Sequence, residues 1–474
     1  MATITLANLF RQIDVACDDH RIVRGISDDS RHVEKDWIFI ARNGYKQNGS
    51  VYAKEALKKG AVVLWELEDE MNCYHCDDTK KALLLLLQSY YGHLCRHLCV
   101  IGVTGTNGKS SVSLLCSQMF QNMGKRTMVI GTGHIRYDDQ EEPNSNTTPS
   151  ACMLAAYFAK AVEKKIPVLI MEVSSHAIDQ QRIGWIHFDY VIYTNIASDH
   201  LDYHITRTHY QYTKFKLRNY LKQNGLIILN HDDRSLHPLY SFHDAKIVTI
   251  GQNQAHMQIS DIHMTLQGTS FCFQKQEFFI QMLGMYNVYN VCQCLMILHD
   301  LHVALNQQKE IASHLKGIAG RNEMHEFQGV YVCIDYAHTA SSLCVLLSYL
   351  HTLKEARMIV VCGCGGNRDR KKRPKMAEIA LKYADVAIFT TDNPRFEKPS
   401  DILMDMIKGN VGRAMIFENR PCAIKYAVKI AKRHDIIIIA GKGEECTQSV
   451  KGRQYPFSDL ECVTQMFGGS EYDT

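Results

Sequence analysis

Residues 101–111 read IGVTGTNGKSS, and this stretch constrains the fold more than any other. A continuous apolar run leads into a loop holding Gly102, Gly105 and Gly108. Behind it, Val112, Leu115, Cys116, Met119 and Met123 repeat at helical spacing, and Gly124, Lys125 and Arg126 mark the end of that helix. A buried strand that turns through glycines into an amphipathic helix belongs to a parallel sheet covered by helices. The loop also predicts chemistry. Glycines let backbone N–H groups turn inward around phosphate oxygens, and a helix N-terminus adds partial positive charge. Lys109 can reach the outer phosphates and the Ser110 hydroxyl can hold Mg2+. The spacing is irregular: Val103 stands where the usual pattern has its first glycine, with Gly102 one position earlier.

The same alternation continues along the chain. VLIMEVS, YVIYTNI and LIILN read as further strands of one sheet. From about residue 328, VYVCIDYA, MIVVCGCGG, DVAIFTT, AMIFE and DIIIIAG read as a second doubly wound sheet. Before residue 95 the pattern is shorter: a strand at 37–41, a helix at 51–59 closed by Gly60, then the strand AVVLW. With 474 residues, about three domains are expected. We place them at 1–95, 96–327 and 328–474. The fold class is α/β, with a central P-loop-type parallel sheet domain and a C-terminal Rossmann-like domain.

Composition narrows the function by exclusion. A net charge of +3 is too small to predict nucleic-acid binding. No apolar run nears the ~20 residues that span a bilayer, and the first residues lack the layout of a signal peptide. The 17 cysteines are scattered and often fall within strand-like runs such as VVCGCGG, which predicts reduced thiols in a cytoplasmic protein. Cys73 and Cys76 form a CxxC without a second pair, a poor zinc signal.

Three further features carry chemistry. Glu172 ends the strand in MEVSSHA, where an acid suits Mg2+. Asp199, His200, Asp202 and His204 crowd behind another strand, a set that suggests a transition metal or a general base. Tyr210, Lys214 and Leu217 share one helical face; a lysine in that setting is ordinarily solvated.

Taken together, GVTGTNGKSS, NTTPS, MEVSSHAIDQQR, NIASDHLDYH, GMYNVYN, AGRNE, DYAHT, GGNRDRKKRP, DNPRFE and AGKGEE resemble the Mur ligases, in order and over nearly the whole chain. Within that family the resemblance is to the branch that adds the third residue of the peptidoglycan stem peptide. It implies an N-terminal UDP-sugar domain, a central ATP domain and a C-terminal domain that brings the amino acid. The implied reaction makes an acyl phosphate on the carboxylate of a UDP-muramoyl dipeptide and joins it to a diamino acid, with ATP and Mg2+. It implies a monomer acting on small molecules in the cytoplasm, without nucleic acid or membrane insertion.

The resemblance also assigns residues. Gly105, Thr106, Asn107, Gly108, Lys109, Ser110 and Ser111 would cradle ATP, with Asn287, Asn290, Arg321 and His338. Ser110, Glu172, His200 and a carbamylated Lys214 would hold Mg2+, and Lys109, His200 and Lys214 would be catalytic. Ser30 would touch the UDP portion, and Asn146, Thr147, Thr148, Ser174, Gln180 and Arg182 the muramoyl dipeptide. Arg368, Asp392, Asn393, Arg395, Gly441 and Glu445 would form the amino-acid pocket. On residues alone, Asn287 and Asn290 read as helix caps or turn formers.

Which amino acid is added turns on Arg395. DNPR resembles the form that accepts meso-diaminopimelate, whose distal carboxylate an arginine can grip with two parallel hydrogen bonds. The plainer alternative is a surface arginine paired with Glu397. The rival functions are a lysine-adding or other Mur-type ligase and a non-catalytic nucleotide-binding relative. The sequence departs from the family at Glu444, where histidine is usual, at Cys446 and Thr447, at Ala340 and Ser341, where Pro and Asp are usual, and at Asn48, Gly49 and Ser50.

Overall fold

A computed structural model of the chain describes residues 4–41, 49–66, 73–197, 199, 201–242, 245–408 and 414–468. Asn48 and His200 therefore lie outside the described residues. The chain divides into two compact units, Met1–Ile259 with Tyr289–Ile311, and Ser260–Val288 with Ala312–Thr474.

The first unit holds two sheets. Strands β1 (Gly25–Ser27), β2 (Trp37–Ile40), β3 (Val62–Trp65) and β4 (Tyr74–His75) pair in that order, all parallel. The expected helix at 51–59 runs over Gly49–Lys58. The five consecutive leucines 83–87 lie in the helix Thr79–Tyr91 rather than a strand. Its 3.6-residue turn buries Leu83, Leu86 and Leu87 and leaves Leu85 exposed. Asp78 caps this helix by accepting from the Lys81 N–H.

The larger sheet is built from β5 (Cys99–Thr104), β6 (Thr127–Ile130), β7 (Gly133–Tyr137), β8 (Gln140–Asn144), β9 (Val168–Glu172), β10 (Phe188–Tyr193), β11 (Leu221–Asn230) and β12 (Lys246–Gly251). Their spatial order is β12-β11-β10-β5-β9-β6-β7-β8. The six strands from β12 to β6 are parallel; β7 and β8 return antiparallel. Every residue of β9 is buried, as the unbroken apolar run demands of a strand covered on both faces. β5 lies between β9 and β10, where the chain reverses the side on which it adds strands. The glycine loop follows β5, and ligands of open α/β sheets bind at that switch point. Register sets the neighbours of the loop: Val103 is opposite Glu172, and Thr104 is opposite Tyr193.

β13 (Met257–Thr265) carries the chain into the second unit, where β14 (Gly268–Phe273) and β15 (Gln276–Ile280) form a hairpin. The main sheet there comprises β16 (Glu323–Phe327), β17 (Val330–Asp335), β18 (Met358–Cys364), β19 (Val386–Thr391), β20 (Met415–Phe417) and β21 (Ile436–Ala440). Its order is β16-β17-β21-β18-β19-β20, parallel except for β16. The last pair is the hairpin β22 (Thr447–Val450) and β23 (Arg453–Pro456). All 17 cysteines are free. No described helix is long and apolar enough to cross a membrane.

Candidate active site

In the first unit, β5 ends at Thr104 and the helix Lys109–Asn122 begins after Gly108. Gly105 has φ +149° and Gly108 φ +84°, and a Cβ on Gly105 would fall 1.9 Å from Thr194 Oγ1. Only glycine fits both the angle and the space there. Gly108 is the N-cap and supplies no side chain to the first helical amides. Those N–H groups have no partner within the helix, so this end presents open donors and partial positive charge.

The loop is held from β10. Thr194 Oγ1 donates to the Asn107 carbonyl at 2.6 Å, and the Asn195 side chain both donates to that carbonyl and accepts the Asn107 N–H, each at 3.0 Å. Thr106 Oγ1 lies 3.1 Å from Tyr210 Oη. The sequence reading gave Thr194, Asn195 and Tyr210 no role, although Asn195 opens the NIASDHLDYH motif.

Two lysines converge on one carbonyl of the loop. Lys109 Nζ donates to Gly105 O at 3.0 Å and Thr106 O at 2.9 Å. Lys214 Nζ donates to Gly105 O at 2.8 Å and is 1% exposed. The helix Arg207–Phe215 ends just beyond it, and Leu217 lies in the tighter turn that follows. Tyr210, Lys214 and Leu217 are all buried, so this lysine does not follow the solvated behaviour usual for its type. Burial holds Lys214 well below the ordinary lysine value, and the Lys109 charge lowers it further. Burial also lowers Lys109, against the opposing pull of Glu172 and Asp199.

Glu172 is 2% exposed at the end of β9. Its two carboxylate oxygens accept from the Thr132 N–H and hydroxyl, each at 3.1 Å. A Cβ on Gly131 would fall 2.3 Å from Glu172 Oε1. Thr132 Oγ1 also lies 3.0 Å from Thr147 Oγ1, linking the acid to the NTTPS segment. Thr132 is a further residue the sequence reading missed. Nothing marks it in sequence, because its partner is 40 residues away. His204 is buried, with Nε2 2.9 Å from Ser175 Oγ. Among the described residues no cluster of three or more His, Cys, Asp or Glu side chains forms a metal cage.

Thr148, Ser174, Gln180 and Arg182 form one network. Thr148 Oγ1 donates to Glu172 O at 2.9 Å and accepts from Ser174 N at 3.0 Å. Arg182 donates to Thr148 O at 2.7 Å and to Gln180 Oε1 at 2.6 and 2.9 Å. Asn146 is exposed. Asn290 Oδ1 lies 3.3 Å from the position of a Gly108 Cβ, so Asn290 sits at the glycine loop. Ser30 lines a cavity of about 1190 Å³ together with Asp28, Arg31, Tyr157 and Lys160, and its hydroxyl donates to Glu55 at 2.9 Å.

In the second unit His338, Arg368, Asp392, Asn393, Arg395, Gly441 and Glu445 follow the carboxyl ends of the parallel strands β17, β18, β19 and β21, whereas Asn287 lies in the helix Met285–Asp300 and Arg321 just before β16. Asn287 donates to Leu283 O at 2.8 Å, the local bond of a turn former. The Arg321 guanidinium lies 4.8 Å from the Tyr336 ring centre, and His338 Nδ1 lies 2.9 Å from Tyr336 O. Behind β19, Asp392 and Asn393 are buried, and a Cβ on Gly441 would fall 2.6 Å from Asp392 Oδ2. Asn393 Nδ2 donates to Glu445 Oε2 at 2.8 Å. Arg368 is exposed, and Arg395 is half-buried with Nη1 donating to Gly366 O at 2.8 Å. The alternative pairing of Arg395 with Glu397 is not what the structure shows. Glu397 accepts instead from the buried Arg373, at 2.9 and 3.0 Å. Among the described residues Arg395 forms no ion pair.

Comparison with known proteins gives a consistent picture. The Mur ligase middle domain matches residues 103–298, and the Mur ligase glutamate ligase domain matches residues 320–443. The UDP-N-acetylmuramoyl-L-alanyl-D-glutamate--2,6-diaminopimelate ligase of Halalkalibacterium halodurans is 36% identical over 450 residues, covering 92% of this chain and 93% of that protein. The ligase of the same name from Listeria monocytogenes is 36% identical over 451 residues, covering 92% of each. A solved structure of a ligase of that name superposes with a TM-score of 0.81 at 29% identity, covering all of both chains. MurF ligase from Thermotoga maritima in complex with ADP shares the fold, with a TM-score of 0.59 at 15% identity over 94% of this chain and 97% of that one.

Proposed function

The chain belongs to the Mur ligase family, and from that premise we propose that it joins meso-diaminopimelate to UDP-N-acetylmuramoyl-L-alanyl-D-glutamate, using ATP and an acyl phosphate intermediate. We assign the UDP-sugar to residues 1–95, ATP to 96–327 and the amino acid to 328–474. The observation that carries the ligase chemistry is the convergence of Lys109 and Lys214 on the Gly105 carbonyl, at the uncapped end of the helix.

A carboxylate is a poor electrophile, so the γ-phosphoryl group is first transferred to it. The amine then attacks the acyl carbon, and phosphate leaves with the former C–O electron pair. Negative charge gathers at every stage. Lys109 supplies a cation beside the loop, and the open helical amides supply aligned donors. Thr148, Gln180 and Arg182 hold the acceptor dipeptide and so fix the acid that is activated.

Mg2+ fits the donors here. Glu172 and Ser110 offer hard oxygen ligands, and among the described residues the buried Glu172 carboxylate accepts hydrogen bonds from the neutral donors of Thr132. Bound there, the ion would neutralise phosphate charge. An ammonium cannot ligate a metal, whereas a carbamate on Lys214 can. The depressed basicity of Lys214 favours the neutral amine that reacts with CO2. His200 completes this set by family resemblance. ATP use and 17 free thiols agree with a cytoplasmic enzyme.

Arg395 supports diaminopimelate over lysine. With L-lysine bound, its guanidinium would face an ammonium; with diaminopimelate, it meets the distal carboxylate. The test is phosphate release from ATP with the UDP-linked dipeptide and a panel of amino acids. Release should be strong with meso-diaminopimelate, weak with L-lysine and negligible without dipeptide. A preference for lysine would overturn the specificity. Hydrolysis that ignores both acceptors would overturn the ligase reading.

A further inference from the structure

Lys442 stands two residues past the end of β21 and is 0% exposed. A buried lysine is costly unless its three protons are matched. Here they are: Nζ donates to Thr447 O at 2.7 Å, Glu445 Oε2 at 2.9 Å and Asn393 Oδ1 at 3.3 Å. Two of these partners are residues assigned above to the amino-acid pocket, and they come from different strand ends.

The contacts fix more than position. Asn393 could present either face of its amide. Lys442 Nζ and the Ser449 N–H, 2.8 Å away, are both donors, so the atom facing them must be the oxygen. The amide nitrogen is thereby turned to Glu445 Oε2. That oxygen now receives two donors, from Lys442 and Asn393, while Oε1 makes no hydrogen bond among the described residues. The carboxylate is thus held by one oxygen and presents the other.

We propose that Lys442 is a positioning residue for amino-acid selection: it locks Asn393 and clamps one oxygen of Glu445, so that the other accepts an ammonium of the incoming diamino acid. This rests on the amino-acid pocket proposed above. Lys442 itself touches no substrate; its effect passes through Glu445.

The test is steady-state kinetics of K442M, which keeps the apolar stem and deletes the donors. The KM for diaminopimelate should rise about ten- to hundred-fold, the usual range for losing hydrogen bonds to a charged group. The KM values for ATP and for the UDP-linked dipeptide should stay within about twofold. In an E445Q background, K442M should add little, because the two changes remove one interaction. An unchanged KM for diaminopimelate would overturn the proposal, as would an equal rise in all three KM values or full additivity with E445Q. If K442M does not fold, K442Q, which retains a donor without the charge, is read by the same criteria. If the wild-type protein prefers L-lysine, the diaminopimelate reading fails, and Lys442 is then judged on the KM for lysine. If no amino acid stimulates wild-type turnover, both fall.

Discussion

At the scale of single residues, the site is governed by two lysines in unusual surroundings. Lys109 lies against the loop that it is expected to share with phosphate. Lys109→Ala should lower turnover roughly 10²- to 10³-fold, the usual loss for one charge-stabilising group. Single-turnover phosphate release, with circular dichroism to verify folding, checks this. Lys214 yields a pH dependence. A lysine amine attacks CO2 only when neutral, forming an N–C bond and releasing a proton. Burial and Lys109 lower its proton affinity, so the neutral fraction grows as pH rises through that lowered value and shrinks as pH falls through it. At limiting bicarbonate, turnover should therefore fall on acidification and recover when bicarbonate is added. A carbamate resonance from labelled CO2, absent in Lys214→Arg, would identify the adduct. Turnover indifferent to bicarbonate at every pH would refute it.

At the scale of elements, one departure from the family pattern, at Ala340 and Ser341, finds local compensation. The helix Ala340–Leu353 begins without the proline usual after DYAHT. Thr339 Oγ1 accepts from Ser342 N and Ser342 Oγ accepts from Thr339 N, both at 3.2 Å, so a reciprocal cap starts the helix instead. Thr339→Ala should cost about 1 kcal/mol of stability, measured by urea unfolding. Strands and helices were largely legible beforehand because their signals are local. The apolar runs at 99–104, 168–172 and 436–440 all became buried parallel strands. What escaped the sequence is contact between residues far apart in the chain: Thr132 with Glu172, Lys442 with Asn393, and Arg373 with Glu397 are hydrogen bonds across 24 to 49 residues. No spacing rule reports such pairs.

At the scale of the whole molecule, the two units apply one rule twice. Each main sheet is largely parallel, and in each the glycine loop or the amino-acid candidates follow carboxyl ends of parallel strands: β5 and β9 in one, β18, β19 and β21 in the other. The family resemblance found the groups. The geometry then separated residues with shared partners, such as Thr148 with Arg182, from those whose bonds are local, such as Asn287. Arg395 has a consequence of its own. Its backbone lies in left-handed space at φ +53°, a shape that glycine adopts freely and arginine resists. Exchanging it for glycine would relax the chain there while discarding the guanidinium fork. Endurance and selectivity thus pull this position in opposite directions, and an arginine kept there against conformational cost marks where the molecule gives up durability for choice.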